Sequence, residues 1–374
     1  MKILQMHIGL SLMGGAESVL IGLANTLSLN NDVRVCSIFK PGKGSVFYTR
    51  LSDRLKKEHL AIEKNGFSLK NLWKVFRYLK KSDAEIVHLH GFFYYYAIPI
   101  IFFHRRMKFV YTFHSDAFME NSKWDRRILW LKQFCMKHNW LYPVTISPES
   151  KESFTKLYGQ DSLLIRNGIA RPNVIDEPNE IDFARITKKT KVFFHPGRIS
   201  LPKNQVVLCK VFQRLIKDGE DVVLLIAGTK QEKNIYNELE PMFCDRIRYL
   251  GERGDVPQLL SRSDGFCLPS IWEGLPITLL ESLSVGCIPI CSPVGGIVGV
   301  IRNEYNGFLS KSSSENDYYN CMKKYLTLSK EDLLSIKEHC RQSFDPYEIS
   351  NMAGSYLRYY QELLSDKSFS SKSN

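Results

Sequence analysis

Glu273 and Glu281 stand with seven residues between them in the run Ser270-Ile271-Trp272-Glu273-Gly274-Leu275-Pro276-Ile277-Thr278-Leu279-Leu280-Glu281. An apolar strand pattern ends at Leu268, a glycine-containing loop follows, and Pro276 suits the first position of a helix. The backbone N–H groups of Leu275, Pro276's successor Ile277, and Thr278 then have no carbonyl one turn back to bond, which makes the helix start an anion site. Carboxylates accept hydrogen bonds from hydroxyls. Glu273 in the loop and Glu281 within the helix therefore suit a sugar nucleotide, one carboxylate for the ribose and one for a transferred sugar. A helix cap with an ordinary surface glutamate is the plainer alternative.

A second group, His195-Pro196-Gly197-Arg198-Ile199-Ser200-Leu201-Pro202-Lys203-Asn204, also follows a strand pattern. Arg198 and Lys203 sit five apart in a turn that feeds a helix, so both reach one point. Two cations there would neutralise the charge on a departing nucleoside diphosphate; two unrelated surface cations are the alternative. Met13-Gly14-Gly15-Ala16-Glu17 opens a helix after the first strand, and a glycine pair lets a phosphate or sugar approach the backbone. The pattern is not G-x-G-x-x-G, and Asp32 precedes the second strand instead of ending it, so dinucleotide binding is poorly supported. His88-Leu89-His90-Gly91 and Thr112-Phe113-His114-Ser115-Asp116 both lie at strand ends. His90 and His114 suit hydrogen bonds to sugars, a base, or a metal pair, while satisfied strand-end histidines are the alternative for His88 and His90. His114 favours function, because Ser115 and Asp116 put more polar groups beside it.

The elements that must position these residues alternate in a parallel α/β pattern. Expected strands in the first half are Lys2–Ile8, Asp32–Phe39, Glu85–Leu89, Lys108–Phe113, Pro143–Ile146 and Ser162–Ile165. The second half repeats the alternation with Lys191–His195, Asp221–Ala227, Ile247–Leu250, Gly265–Leu268, Ile288–Cys291 and Gly307–Leu309. The organisation expected is a domain over 1–170, a linker over 171–190, a second domain over 191–345, a helix over 346–365 that returns to the first domain, and a disordered tail over 366–374. Doubly wound sheets bind ligands at the carboxyl ends of their strands, which places the expected site in a cleft between the halves.

The 374 residues, 44% hydrophobic and 24% charged, exclude a disordered, collagenous or coiled-coil chain. Nine cysteines without a C-x-x-C pair suit reduced thiols rather than a disulfide framework or zinc site. The longest apolar stretch, Gly91–Phe103, is too short to span a bilayer. Charge is unevenly divided: residues 1–170 hold 25 Lys and Arg against 13 Asp and Glu, and residues 171–374 hold 26 of each. A basic half invites nucleic acid, an anionic membrane or a phosphorylated substrate. In Leu69–Lys81, Leu69, Leu72, Trp73, Phe76 and Leu79 share one helical face, and Lys70, Lys74, Arg77 and Lys81 another. Lys123–Trp140 is similarly basic and rich in Trp. Such helices suit a membrane interface; the alternative packs the apolar faces on the sheet and leaves only the cations free.

These motifs arrive in an order that resembles retaining glycosyltransferase family 4. The pieces are Gly14-Gly15-Ala16-Glu17, His88–Gly91, Thr112–His114, Ile146-Ser147-Pro148-Glu149, Arg166-Asn167-Gly168-Ile169, Gly197-Arg198 with Lys203-Asn204, and Ala227-Gly228. They continue through Leu250-Gly251, the Glu273/Glu281 pair, Val294-Gly295-Gly296 and Asn306-Gly307, with one departure at Gly299, where the family usually carries Glu. The resemblance implies two facing Rossmann-like domains of the GT-B type with an interdomain cleft and a C-terminal helix. It implies that Arg198 and Lys203 bind the diphosphate and Glu281 the ribose, near Gly228. Glu273, Gly274, Leu275, Pro276, Ile277 and Thr278 would hold the donor sugar and phosphates, His114 would contact the sugar, and Gly15 would border the acceptor side. The implied enzyme is a retaining, metal-independent hexosyltransferase with no cofactor, using a UDP- or GDP-sugar and a saccharide acceptor, lipid-linked through polyprenyl diphosphate, in surface polysaccharide assembly. It would act in the cytoplasm, peripherally at the inner face of the plasma membrane. No D-x-D motif occurs in the chain, which argues against metal-dependent single-domain transferases. A nucleotide-sugar epimerase of similar architecture is the first alternative. A basic nucleic-acid-binding protein is the second, although no recognition-module motif supports it.

Overall fold

The computed structural model describes residues 1–10, 14–62, 68–91, 94–103, 106–120, 129–175 and 177–365. The chain divides into two compact units, one formed by residues 1–170 and the chain from Tyr347 onward, the other by Arg171–Pro346. The expected tail over 366–374, Met13, and the 123–128 part of the second basic segment lie outside the described residues.

In the first unit seven parallel strands run in the order β3-β2-β1-β4-β5-β6-β7. They are β1 (Lys2–His7), β2 (Asp32–Phe39), β3 (Lys56–Ile62), β4 (Ile86–His90), β5 (Lys108–Phe113), β6 (Leu141–Thr145) and β7 (Leu163–Leu164). The helices are α1 (Gly15–Leu27), α2 (Val46–Thr49), α3 (Leu69–Lys81), α4 (Tyr94–Phe103), α5 (Ala117–Glu120), α6 (Leu129–Lys137) and α7 (Pro148–Tyr158). Near-continuous apolar strands such as Ile86–His90, buried at every position, need cover on both faces, which is what parallel connections through helices provide. The strand order reverses at β1 and β4, the point where such sheets take ligands. There the register pairs His7 with His90 and His90 with Thr112. The sequence therefore brings His7, His90 and, one residue past Phe113, His114 to one edge.

β3 is the strand that the sequence pattern does not announce. It lies at the sheet edge, with Lys56, His59 and Ala61 exposed and only Leu60 and Ile62 buried. Ala61 has φ +47° and the register slips between Ser37 and Phe39, so the alternation that signals a strand is broken. Lysines on an edge strand also hinder pairing with another chain.

The second unit holds six parallel strands in the order β10-β9-β8-β11-β12-β13. These are β8 (Lys191–Pro196), β9 (Val222–Ala227), β10 (Ile247–Tyr249), β11 (Gly265–Leu268), β12 (Pro289–Cys291) and β13 (Phe308–Leu309). The order reverses at β8 and β11. Its helices are α8 (Glu180–Phe183), α9 (Gln205–Lys217), α10 (Lys233–Leu239), α11 (Val256–Arg262), α12 (Ile277–Val285), α13 (Glu315–Leu326) and α14 (Lys330–Phe344).

The 171–190 stretch is not a free connection. Arg171 donates to the Ser284 carbonyl and pairs with Asp345, the Ile175 N–H donates to the Gln258 side chain, and Asn179 caps α8. Its prolines and acids suggest a linker, but these bonds bind it to the second unit. The last helix, α15 (Ile349–Ser365), packs against α1 of the first unit, and the Ile349 N–H donates to the Ile169 carbonyl at 2.9 Å. It buries Met352 and Leu363, and full burial of such a side chain is worth about 1.5–3 kcal/mol. It also brings Tyr356 and Tyr360 to the polar edge described next.

Candidate active site

The two loops that carry the second domain's charges are fastened to each other. After β8 the chain turns through Gly197–Asn204; after β11 it turns through Pro269–Pro276. The Ile271 N–H donates to the Pro202 carbonyl at 2.8 Å. Asn204, itself left-handed at φ +56°, donates from Nδ2 to the Pro269 carbonyl at 3.1 Å and to the Ser313 carbonyl at 3.0 Å. Lys203 Nζ lies 2.6 Å from Glu273 Oε1, with side chains 17% and 11% exposed, and Ser270 Oγ donates to the same oxygen at 2.6 Å. Arg198 is exposed.

Two glycines are required by close approach. Gly228 has φ +150°, and a Cβ there would lie 2.1 Å from the Gly197 carbonyl oxygen. Gly295 has φ +51°, and a Cβ would lie 1.9 Å from the Glu273 carbonyl oxygen. Gly296 N–H donates to the Gly274 carbonyl at 2.8 Å, so the Gly295-Gly296 pair clamps the backbone of the glutamate loop. Gly299 lies in the turn that follows the short 3-10 helix Gly295–Ile297.

Pro276 is the residue before α12, extended at ψ 125°, so Ile277 is the first helical residue. The first amides to bond back are those of Leu279 and Leu280, both to the Pro276 carbonyl. The Ile277 and Thr278 amides precede those bonds and face the helix start, as expected of an anion site. Glu281 sits on α12, and burial pushes its carboxyl up to about 7. No hydrogen-bond or ion-pair partner holds that carboxyl among the described residues. The two carboxylates therefore differ in kind: Glu273 is paired, and Glu281, half-buried, has no partner among the described residues.

Three supporting residues carry no role in the sequence reading. His195 is fully buried; its Nδ1 lies 2.8 Å from the Cys267 carbonyl and its Nε2 3.2 Å from Gln205 Nε2. Burial pushes its imidazole down to about 4, so it is a neutral brace. Gln205 donates to the Arg198 carbonyl at 2.8 Å and thereby holds the turn that carries the arginine. Ser270 orients Glu273. The signal available in sequence was a polar residue at the edge of an apolar run: His195 closes Val192-Phe193-Phe194 and Gln205 opens Val206-Val207-Leu208.

In the first domain, Gly15 is the first residue of α1 after an extended Gly14. Glu17 Oε1 lies 3.9 Å from His7 Nε2, and burial holds the His7 imidazole below its ordinary range. His88 Nε2 meets Thr112 Oγ1 at 2.7 Å, and Tyr360 OH meets His88 Nδ1 at 2.7 Å. His90 Nε2 meets Gln5 Oε1 at 2.6 Å, and His90 Nδ1 meets His114 Nε2 at 2.9 Å. His88 and His90 are thus satisfied strand-end histidines. The facing nitrogens of His90 and His114 meet each other, and no cluster of three or more His, Cys, Asp or Glu able to hold a metal occurs among the described residues. Burial drives His88 and His90 well below the usual range and His114 to about 3.

The basic helices resolve unevenly. In α3 the Val75 and Leu79 side chains are buried and Leu72 and Phe76 pack against the core, but Leu69 and Trp73 stand 74% and 62% exposed beside the exposed Lys70, Lys74, Arg77 and Lys81. In α6, Lys132 turns inward, its Nζ 4.0 Å from the Tyr111 ring centre and 4.5 Å from that of Phe113. Glu120 is buried too; burial raises its carboxyl to about 7, and Lys132 opposes that rise. That lysine is not a free surface cation.

Two doubly wound parallel sheets with polar groups at both switch points define the GT-B class of transferase. The "Glycosyltransferase Family 4" model matches residues 13–171 and the "Glycosyl transferases group 1" model matches residues 176–342. The chain belongs to the glycosyltransferases of the family 4 type, a transferase rather than the epimerase alternative. It is similar to the UDP-Gal:alpha-D-GlcNAc-diphosphoundecaprenol alpha-1,3-galactosyltransferase of Escherichia coli, 27% identical over 68% of this chain and 69% of that protein. It is similar to the N,N'-diacetylbacillosaminyl-diphospho-undecaprenol alpha-1,3-N-acetylgalactosaminyltransferase of Campylobacter jejuni, 27% identical over 69% of this chain and 61% of that protein. The fold matches that of Anabaena HepE in complex with UDP, with TM-score 0.79 and 18% identity over 97% of this chain and 100% of that one.

Proposed function

We propose that this glycosyltransferase moves a sugar, with retention at the anomeric carbon and without a metal ion or other cofactor, from a UDP- or GDP-sugar to a saccharide carried on polyprenyl diphosphate, in surface polysaccharide assembly. The observation that carries the reading is the second-domain cluster: Lys203 2.6 Å from Glu273, Arg198 exposed on the adjoining turn, and the start of α12 between the two carboxylates. Arg198 and Lys203 take the diphosphate, whose growing negative charge they stabilise as the glycosidic bond breaks. Arriving phosphate competes with Glu273 for Lys203, and Ser270 keeps the freed carboxylate aligned on the sugar. The amides of Leu275, Ile277 and Thr278 receive phosphate oxygens, with Gly274 and Pro276 shaping the turn. Glu281 accepts from the ribose hydroxyls, Gly228 lets the nucleotide lie against the backbone, Gly15 borders the acceptor, and His114 accepts from a sugar hydroxyl.

The names of the E. coli and C. jejuni relatives support a diphosphoundecaprenol-linked acceptor, and the E. coli name with the HepE complex supports a UDP-sugar. Among the described residues no helix is long and apolar enough to cross a membrane. The exposed Trp73 and the cations of α3 fit peripheral attachment to an anionic leaflet, with the excess positive charge serving the membrane and the diphosphate-linked acceptor, not nucleic acid. The test is acceptor-dependent release of nucleoside diphosphate across a panel of nucleotide sugars, in EDTA, with the product's anomeric configuration read by NMR. Release that needs no acceptor, activity that returns only with Mg²⁺ or Mn²⁺, or an inverted product would each reject the corresponding part.

A further inference from the structure

The carboxyl edge of the first sheet carries a buried polar chain whose bonding sense can be worked out atom by atom. Each of His88, His90 and His114 is held neutral by burial and so carries a single N–H. Gln5 Oε1, 2.6 Å from His90 Nε2, only accepts, so the His90 proton is on Nε2 and its Nδ1 is bare. Bare Nδ1 must accept from His114 Nε2 at 2.9 Å, which puts the His114 proton on Nε2. The lone pair of His114 Nδ1 is left over, and that atom is buried with no hydrogen-bond partner among the described residues. The Gln5 amide is oriented from its other end: its Nε2 donates to the Tyr360 hydroxyl at 3.5 Å, and that hydroxyl lies 2.7 Å from His88 Nδ1.

We propose that Gln5, acting through His90, fixes the tautomer of His114 so that Nδ1 is a permanent acceptor, and that it receives a hydroxyl of the saccharide substrate. This rests on the reading of the chain as a sugar transferase with His114 at the sugar. A buried lone pair without a donor costs free energy until one arrives. An ionised phosphate or carboxylate has no proton to give, so this corner selects a hydroxyl and rejects an anion. Gln5 is then a positioning residue, and the C-terminal helix contributes to specificity through Tyr360.

The test uses the full chain labelled with [¹⁵N]histidine. In the wild-type protein the His114 ring, identified by its loss in His114→Gln, shows an unprotonated Nδ1 and a protonated Nε2; a protonated Nδ1 overturns the proposal. Gln5→Leu removes the acceptor, so His114 loses its single tautomer and kcat/KM falls about tenfold, the size of one hydrogen bond. Gln5→Glu keeps an acceptor at the same place and restores both. Unchanged tautomer and kcat/KM in Gln5→Leu overturn the proposal; should that variant fail to fold, the wild-type spectrum decides alone. The expected tautomer with full kcat/KM in His114→Gln overturns the hydroxyl assignment. Absence of acceptor-dependent release in the wild type, by contrast, strikes the transferase reading and leaves the tautomer readout intact.

Discussion

The two domains put opposite kinds of chemistry at the same place in the same fold. Residues 1–170 carry a net +12, yet the edge of their sheet is lined by histidines that burial keeps neutral, while the cations of α3 stand outside. Residues 171–374 have no net charge, yet carry Arg198, Lys203, Glu273 and Glu281 on two adjoining strand ends and the helix that follows one of them. Net charge is therefore a poor guide to where charge acts. A diphosphate demands permanent cations within a few ångströms, because Coulomb energy falls with distance and screening. A neutral sugar is better met by fixed donors and acceptors, and a large surface meets a membrane with charge spread over its exterior.

Breaking the charged side of that comparison should give the largest effect. Lys203→Ala or Arg198→Ala is expected to lower turnover on the order of 10²–10³-fold, the loss typical of one stabiliser of developing charge. The fold should survive. Arg198 is exposed, and Lys203 leaves behind a Glu273 still bonded by Ser270. Steady-state kinetics with thermal unfolding as control measures this, and near-normal turnover in both variants would remove the diphosphate clamp from the mechanism.

The next effect concerns Glu281, a carboxyl raised to about 7 by burial alone. Its folded-state value lies above the unfolded one of about 4.5, so the folded state holds the extra proton between those values. Stability contributed by this group is then highest below about pH 4.5 and falls as pH rises to 7. Glu281→Gln should accordingly stabilise the protein at pH 8, by on the order of 3 kcal/mol, and leave it unchanged at pH 4. The same change should weaken nucleoside diphosphate, since the ribose needs an ionised acceptor, and should abolish a wild-type loss of affinity below pH 7. Glu273→Ala, in contrast, should chiefly lower the rate. Denaturant titrations at the two pH values and calorimetric titration of UDP or GDP check both halves; a variant that binds normally at every pH would place the ribose elsewhere.

The charged side was far more legible in sequence than the neutral one. Glu273, Glu281, Arg198 and Lys203 announce themselves by type and spacing, and most strands by apolar runs. The edge strand Lys56–Ile62 did not, because only two of its seven residues, Leu60 and Ile62, are buried. Gln5, Tyr356 and Tyr360 were invisible because their contacts, with His90, Thr112 and His88 respectively, lie 85, 244 and 272 residues apart in sequence. The Gly295-Gly296 pair was noticed, but why glycine is needed appears only once the Glu273 carbonyl lies against it. Gly295→Ala should cost about 2 kcal/mol of stability through strain and displacement of that loop, and should lower turnover with it. A thermal unfolding curve that does not shift would show that the loop has another place to go.

The smallest effects per residue test the outside of the first domain. Each cation near an anionic leaflet is worth about 1 kcal/mol, which is about fivefold in partitioning. Lys70→Ala, Lys74→Ala and Arg77→Ala should therefore each reduce sedimentation with anionic liposomes by about that factor. Reversing Lys70, Lys74, Arg77 and Lys81 to Glu together should abolish it while nucleotide binding in the second domain stays intact. At physiological salt charges are screened over about 8 Å, so raising salt should release the protein, and neutral liposomes should hold it weakly. Trp73, 62% exposed beside those lysines, should add an apolar anchor that salt does not weaken. Trp73→Ala should consequently lower binding to both kinds of liposome by a similar factor, whereas the lysine variants affect only the anionic ones. If binding to neutral and anionic liposomes were equal and indifferent to salt, the basic half would serve the diphosphate-linked acceptor itself, and its charge would belong with the clamp instead of in contrast to it.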